Sequence, residues 1–216
     1  MTVKGVIFDV DGILVNSEPY YFEQRLTFLN AIGAKLTVEE SRRQIGSNMN
    51  AVLKQVYPGR TMNDYAMIKE GYRSYKRKHP IRFDKILNQD AQTLLAEIAP
   101  KYQIGLASAG ERQIINQMLA ETKLTPYFET IVSGAETAHN KPAPDVYTTA
   151  IAQLGLKSDE AVDIEDSEFG IKAGKAAGLT VIALKPLDSQ FKINQEEADY
   201  RVESLTEVPA ILAQLS

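Results

Sequence analysis

The sequence predicts an α/β fold, a doubly wound parallel sheet with a small helical domain inserted after the first strand. A short apolar run near the N-terminus, Val6-Ile7-Phe8, is typical of a buried strand. Residues 17–82 then show helical periodicity and no convincing strand, whereas strands and helices alternate from Asp84 onward. Such alternation indicates right-handed βαβ units and a parallel sheet that is covered on both faces.

The composition limits the classes of function. The chain has 216 residues, of which 44% are hydrophobic, enough for one large domain or for a core domain with a smaller insert. Its formal net charge of −4 gives no basic bias toward nucleic acid or an anionic membrane. The chain has no cysteine for disulfides or thiol catalysis, and two histidines do not favour a zinc site. We see no signal peptide or membrane-spanning stretch and expect a cytoplasmic protein.

The first strand ends in two aspartates and a glycine, Asp9, Asp11 and Gly12. Ligands of open α/β sheets bind outside the carboxyl ends of the strands, where these carboxylates would lie. Two carboxylates this close repel each other, so a cation is needed to hold both in the charged form, and Mg²⁺ suits oxygen ligands best. The alternative is a capped turn, because Asp-Gly pairs commonly form turns.

Residues 17–82, the insert, are predicted to form helices only. Ser17 offers an N-cap with a proline in the first turn after it, and Thr37 with Glu40 has the form of a capping box. We expect the insert to be a domain of its own, and residues 1–16 with 83–216 to form the core domain. Inserts at the ligand edge of a sheet often act as lids. The apolar positions recur at helical spacing: Phe22, Leu26, Leu29 and Ile32, then Met49, Val52, Leu53 and Val56, then Tyr65, Ile68, Tyr72 and Tyr75.

The remaining elements of the core domain follow in alternation. Proline and glycine end several of the predicted helices, as Pro100 and Gly155 do. Strands are predicted at residues 103–107, 130–132, 161–164 and 180–184, with a weaker one near 200–202, and helices at 91–98, 114–119, 144–154, 169–177 and 208–215.

Further polar residues follow the predicted strands. Ser108 follows one strand, Lys141 lies in the loop after the next, and Glu165-Asp166 follow a third. If these loops meet Asp9 and Asp11 at one edge, four carboxylates, a lysine and a hydroxyl can bind a divalent cation and a phosphate together. In such a site one carboxylate can attack phosphorus and a second can protonate the leaving oxygen. Asp9 suits the first role and Asp11 the second.

These motifs resemble, in order, the four motifs of the haloacid dehalogenase (HAD) superfamily. The resemblance is carried by Asp9-Val10-Asp11-Gly12, by Ser108, by Lys141-Pro142-Ala143-Pro144-Asp145 and by Glu165-Asp166-Ser167. The helical insert and the small-residue run from Gly170 to Gly178 are similar to the phosphatase and β-phosphoglucomutase-like branch. The similarity covers residues 3–12 and 84–184 and implies a Rossmann-like core with the insert as a cap domain.

The resemblance also implies roles for the site residues. True dehalogenases lack an aspartate at the position of Asp11 and need no metal, so its presence favours phosphoryl chemistry. The implied catalytic residues are Asp9 as the nucleophile, Asp11 as the acid/base, and Lys141, which would hold both the phosphoryl group and Asp9. The implied phosphate-binding residues are Ser108, Ala109, Gly12 and Lys141, and the implied Mg²⁺ ligands are Asp9, Asp11 (through its backbone carbonyl), Asp166 and Glu165.

Each motif also has a simpler interpretation when taken alone. Ser108 can be a strand-end cap, Lys141 a solvated loop lysine, and Glu165-Asp166-Ser167 the start of a helix. His139 is expected to support the loop of Lys141 rather than to act in catalysis. The stripe that contains Tyr65, Tyr72 and Tyr75 is expected to pack inside the insert.

We therefore predict a Mg²⁺-dependent phosphatase that hydrolyses a small phosphorylated metabolite, a sugar or polyol phosphate, through an aspartyl-phosphate intermediate. Two alternatives stay open: a phosphosugar isomerase of the β-phosphoglucomutase type, and a non-catalytic protein that binds a phosphorylated ligand. Mutases resemble this chain but carry basic residues near Gly46 and a histidine where it has Tyr20 and Tyr21. The expected partner is a small-molecule phosphorylated substrate, with no nucleic acid or membrane, and the chain is expected to be a monomer or weak dimer.

Overall fold

The structure, a computed structural model, describes residues 2–44, 49–187 and 193–216. The chain divides into two compact units. Met1–Asn16 and Phe83–Ser216 form the core unit, and Ser17–Arg82 form the insert.

The core unit is built on a six-stranded sheet in which every neighbouring pair of strands is parallel. The spatial order is β3-β2-β1-β4-β5-β6, so the first strand lies in the centre and the chain winds outward in both directions. This confirms the predicted doubly wound α/β fold. The strands are β1 Gly5–Phe8, β2 Gln103–Ser108, β3 Thr130–Ser133, β4 Ala161–Glu165, β5 Thr180–Leu184 and β6 Tyr200–Val202.

Helices account for the insert and cover the sheet. The insert contains α1 Glu18–Ala31, α2 Val38–Arg42, α3 Met49–Val56 and α4 Met62–Lys78. The core unit contains α5 Gln89–Ile98, α6 Arg112–Thr122, α7 Asp145–Leu154, α8 Glu168–Ala176 and α9 Val208–Leu215. Within the described residues no helix is both long and apolar enough to cross a membrane.

The first strand, β1, is apolar on both faces because helices bury both sides of the sheet. All four residues of β1 are buried. On one face, Ile7 of β1 belongs to a buried cluster with Ala107 of β2, Val132 of β3 and the inward side chains of α7. This packing holds the carboxyl ends of three strands and the start of α7 close together.

The insert has a hydrophobic core of its own. Phe28 and Leu29 of α1 pack with Val52 and Leu53 of α3, and Tyr65 of α4, which is 4% exposed, joins them. The rings of Tyr72 and Tyr75 lie 5.4 and 5.7 Å from the ring of Phe28. The predicted packing role of this tyrosine stripe is therefore confirmed.

Helix starts in the insert were predicted with mixed success. The capping box of Thr37 and Glu40 is present at the start of α2. Ser17 occupies the N-cap position of α1, as predicted, but its side chain makes no capping hydrogen bond there. A second capping box, formed by Thr61 and Asp64 at the start of α4, was not predicted.

Candidate active site

The sheet places Asp9 and Glu165 side by side. Ile7 of β1 lies opposite Asp163 of β4, and side chains alternate along strands, so residues two positions further on point to the same face. Asp9 follows β1 directly, and its backbone N–H donates to the carbonyl of Ile164 across a distance of 3.0 Å. Glu165 is the last residue of β4. The two carboxylates therefore share the carboxyl edge of neighbouring central strands.

Lys141 joins these two carboxylates. Its Nζ donates to Asp9 Oδ1 and to Glu165 Oε1, in both cases across 2.7 Å. A third contact, of 3.0 Å, joins Nζ to the hydroxyl of Tyr147. Only 6% of the lysine side chain is exposed, so the interpretation of Lys141 as a solvated loop residue is wrong.

Glu165 is fully buried and hydrogen bonded through both oxygens. Oε1 accepts from Lys141 and, at 3.2 Å, from the hydroxyl of Tyr147. Oε2 accepts from the backbone N–H groups of Asp166 and Ser167, each at 2.8 Å, and from the Ser167 hydroxyl at 3.0 Å. Ser167 also caps α8 through Gly170. The helix-start interpretation of this motif is thus correct, and the same residues hold the buried carboxylate.

Two glycines leave the space that the carboxylates occupy. A Cβ atom on Gly170 of α8 would lie 1.5 Å from Glu165 Oε1. One on Gly12 would lie 1.9 Å from Asp166 Oδ2, and the φ angle of Gly12 is +81°, a region that glycine adopts far more easily than other residues. These glycines are required by the carboxylates that they face.

Burial and charge shift the pKa values at this site. Burial raises the pKa of Asp9 to about 7, with the charges of Glu165 and Asp11 adding to the effect and Lys141 opposing it. For Lys141, burial alone disfavours the ammonium, but the carboxylates of Asp9 and Glu165 outweigh it and raise its pKa above the ordinary value. The site therefore holds more acidic groups than its single lysine neutralises, and a bound cation would favour the ionised form of Asp9.

Three carboxylates are placed to hold that cation. Asp9, Glu165 and Asp166 each offer an oxygen, and these oxygens lie within 4.8 Å of one another. An all-oxygen donor set fits Mg²⁺, and these three residues are among the predicted ligands, while Asp11 was predicted to bind through its backbone carbonyl. The side chain of Asp11 does not belong to this group. It is half-buried, and its charge acts on Asp9, as noted above.

The predicted phosphate-binding residues lie at the neighbouring strand end. Ser108, the last residue of β2, is buried, and its Oγ accepts the N–H of Gly110 at 3.1 Å, as a strand-end turn does. The carbonyl of Ala109 accepts from the Asn140 side chain at 3.1 Å, and that side chain accepts the N–H of Lys141 at 2.8 Å. Asn140 thus ties this turn to the lysine loop.

His139 lies beside this loop and is mostly exposed. Its backbone N–H donates to Asp145 Oδ1 at 2.9 Å, and its Nδ1 lies 3.0 Å from the same oxygen. The histidine therefore braces the loop against the start of α7, which is the supporting position that we expected.

Sequence reasoning missed two buried polar residues of the site. Tyr147 was predicted only as an inward packing residue of α7, and Asp163 only as part of a strand. Asp163 is fully buried, burial raises its pKa well above the ordinary value, and the neighbouring hydroxyl of Tyr147 acts on its carboxylate in the opposite direction. A charged residue inside an apolar strand, two positions before Glu165 and therefore on the same face, was the available signal.

With this geometry established, comparison with known proteins decides the family. Residues 6–184 match the model of the haloacid dehalogenase-like hydrolases. The chain belongs to this family. The match confirms the resemblance carried by the four motifs.

Curated relatives span almost the whole chain. Hexitol phosphatase B of Escherichia coli is 28% identical over 96% of this chain and 95% of its own length. Pyrophosphatase PpaX of Anoxybacillus flavithermus is 25% identical, with 98% of each protein covered. The family and these named phosphatases support the predicted enzyme class, a phosphoric monoester hydrolase.

The fold is shared with solved structures as well. The β-phosphoglucomutase of Clostridium difficile superposes with a TM-score of 0.79, over 99% of this chain and 97% of that one. At 18% identity, this likeness shows the fold alone.

Proposed function

We propose that this HAD-family hydrolase is a Mg²⁺-dependent phosphatase that hydrolyses a small sugar or polyol phosphate through an aspartyl-phosphate intermediate on Asp9. One observation carries the proposal. The buried ammonium of Lys141 contacts Asp9 and Glu165 at once, beside a three-carboxylate group that can hold a divalent cation. A nucleophile, a fixed positive charge and a metal site are the parts that phosphoryl transfer needs.

In the first half of the reaction, Asp9 attacks the phosphorus of the substrate. The new bond forms between a carboxylate oxygen of Asp9 and phosphorus, while the bond from phosphorus to the alcohol oxygen breaks. Asp11 gives its proton to that oxygen, so the alcohol leaves as a neutral molecule. Lys141, held beside Asp9, stabilises the charge that spreads over the phosphoryl oxygens.

In the second half, Asp11 removes a proton from water, and the hydroxide oxygen attacks the phosphorus of the acyl phosphate. Inorganic phosphate leaves, Asp9 is regenerated as a carboxylate, and Asp11 is again protonated. Ser108, Ala109 and Gly12 are the proposed phosphate-binding residues throughout.

Asp9, Asp166 and Glu165, with the backbone carbonyl of Asp11, would hold the Mg²⁺ ion. When bound, the ion would neutralise the negative charges of the Asp9 carboxylate and of the phosphoryl oxygens. Glu165 already accepts hydrogen bonds at both oxygens, so we assign the direct ligation chiefly to Asp9 and Asp166.

The names of the relatives guide the choice of substrate. Hexitol phosphatase B points to polyol phosphates, the phosphorylated carbohydrates phosphatase of Thermotoga maritima points to sugar phosphates, and the pyrophosphatase adds phosphoanhydrides to the compounds that need testing. The isomerase stays the second candidate, because the helical insert and the small-residue run from Gly170 to Gly178 are similar to the β-phosphoglucomutase-like branch. Against it stand Tyr20 and Tyr21, where mutases carry a histidine, and the uncharged residues next to Gly46, which are Ile45 before it and Ser47, Asn48, Met49 and Asn50 after it. Residues 45–48 lie outside the described part of the chain.

The deciding experiment measures inorganic phosphate released from sugar phosphates, polyol phosphates, nucleoside monophosphates and pyrophosphate, with Mg²⁺ and with chelator. We expect metal-dependent release that Asp9→Asn abolishes. Asp159→Asn is the matched control, because Asp159 is an exposed aspartate of the same unit and outside the site. Unchanged release by the Asp9→Asn protein would contradict the mechanism. Conversion of β-glucose 1-phosphate to glucose 6-phosphate without net phosphate release would replace the phosphatase by the mutase.

A further inference from the structure

Tyr147 occupies a position that the proposed mechanism does not use. It lies on α7, is fully buried, and packs in the apolar cluster under the sheet edge. Its hydroxyl is nevertheless 3.0 Å from Lys141 Nζ and 3.2 Å from Glu165 Oε1. A phenol oxygen inside an apolar cluster is costly to bury unless it is hydrogen bonded, and here both of its partners are charged residues of the site.

The contacts of Lys141 show what this hydroxyl does. An ammonium group has three protons, and three acceptors surround Nζ: Asp9 Oδ1, Glu165 Oε1 and the hydroxyl oxygen of Tyr147. The hydroxyl accepts one proton from Lys141 and donates its own to Glu165. Each of the three protons therefore has its own acceptor, and these three hydrogen bonds fix the position of Nζ.

A third acidic group lies near this ammonium. Asp163 is fully buried on the same face of β4, its charge acts on Lys141, and burial raises its pKa well above the ordinary value, while the neighbouring hydroxyl of Tyr147 acts in the opposite direction. The hydroxyl of Tyr147 accepts a hydrogen bond from Lys141. If the ammonium rotated, it could donate that hydrogen bond to Asp163 instead. Without the hydroxyl, that proton has no acceptor in the present geometry, and the ammonium gains freedom to rotate away from Asp9.

We propose that Tyr147 is a positioning residue, whose hydroxyl holds the ammonium of Lys141 in the orientation that contacts Asp9 and the phosphoryl group. This inference rests on the proposed phosphatase function. It concerns the hydroxyl alone, because the aromatic ring serves the apolar cluster and also lies under the ammonium, with Nζ 4.7 Å from the ring centre. Phenylalanine keeps both of these ring contacts, so Tyr147→Phe isolates the hydroxyl.

The test compares Tyr147→Phe with Tyr102→Phe. Tyr102 is the matched control because its hydroxyl also makes a hydrogen bond, to Ser216 Oγ at 3.1 Å, at a site away from Lys141. For Tyr147→Phe we expect kcat to fall about 10- to 150-fold, the size of the one hydrogen bond that the Lys141 ammonium loses. We expect KM to stay within about threefold, because the ammonium of Lys141 stabilises the charge of the transition state more than it stabilises bound substrate. Mg²⁺ affinity, measured with the metal alone, should stay close to the wild-type value, while the unfolding temperature should fall by a few degrees, because the buried hydroxyl loses its hydrogen bonds.

Three outcomes overturn the inference. A kcat within about twofold of wild type shows that the hydroxyl does not position Lys141. A joint loss of Mg²⁺ affinity, unfolding temperature and activity shows that Tyr147 is only a structural residue. An inactive wild-type protein overturns the phosphatase proposal, and the inference falls with it, whereas an active wild type with an unaffected Tyr147→Phe variant overturns the inference alone.

Discussion

Replacing Gly170 by alanine tests how tightly the site depends on the placement of Glu165. In the interior of an ordinary helix such a change stabilises the protein by up to about 1 kcal/mol. Gly170 lies in α8, but its added methyl group would lie 1.5 Å from Glu165 Oε1 and 1.9 Å from Glu165 Cδ. The carboxylate therefore has to leave its position, and we expect the substitution to destabilise the protein.

The size of the effect follows from the contacts that Glu165 loses. Its two oxygens accept hydrogen bonds from Lys141, Tyr147, two backbone N–H groups and the Ser167 hydroxyl. Hydrogen bonds to charged groups contribute about 1.5–3 kcal/mol each. Loss of two of them, less the gain in helix propensity, gives a net loss of about 2–5 kcal/mol in the free energy of unfolding. We also expect kcat to fall at least about tenfold, because Lys141 loses one of its anchors.

The assay is urea unfolding, followed by the rate of phosphate release. Gly71→Ala is the matched control, since Gly71 is a glycine within α4 whose Cβ would meet only the far end of the Phe28 ring, at 3.3 Å. We expect that control to change the unfolding free energy by less than about 1 kcal/mol. A Glu165→Asp change added to Gly170→Ala shortens the side chain and should recover part of the lost stability. A Gly170→Ala protein as stable and active as the Gly71→Ala protein would refute this reasoning.

Three further predictions concern the lysine, the metal and the insert. Lys141→Met leaves two buried carboxylates without their cation, so we expect the free energy of unfolding in urea to fall by about 3 kcal/mol. We also expect kcat to fall at least about 100-fold. Unchanged stability would contradict the assignment of these residues as an ion pair. Because burial raises the pKa of Asp9 to about 7, protons compete with Mg²⁺ below that pH, and calorimetry should show the Kd for Mg²⁺ rising toward about tenfold per pH unit between pH 7 and about pH 5. A Kd that is the same at about pH 8 and pH 6 would contradict the combination of a raised Asp9 pKa and ligation by Asp9. Thr61→Ala removes the capping box of α4 and should cost about 1 kcal/mol in unfolding free energy with phosphate release unchanged, whereas Thr61→Ser should retain most of the stability.

The sequence alone determined the parts of this protein that depend on near neighbours along the chain. The apolar run before Asp9 forms a fully buried strand, and alternating patterns after Asp84 form the parallel sheet. The capping box of Thr37 and Glu40 spans only three residues and was predicted correctly. The residue types of the four motifs were also enough to identify the family. Propensity, periodicity and local hydrogen bonding act over a few residues, so a sequence displays them directly.

Only the tertiary structure decided how the site residues meet. Lys141 binds Asp9, which is 132 positions away, because a loop returns across the centre of a sheet whose strand order differs from the chain order. The hydroxyl of Tyr147 joins this contact, although the helical pattern shows only an inward-facing ring. Gly170 is required by the direction of the Glu165 side chain, which no local pattern reveals. These features depend on strand register and side-chain direction across distant segments, and those are set when the whole core packs.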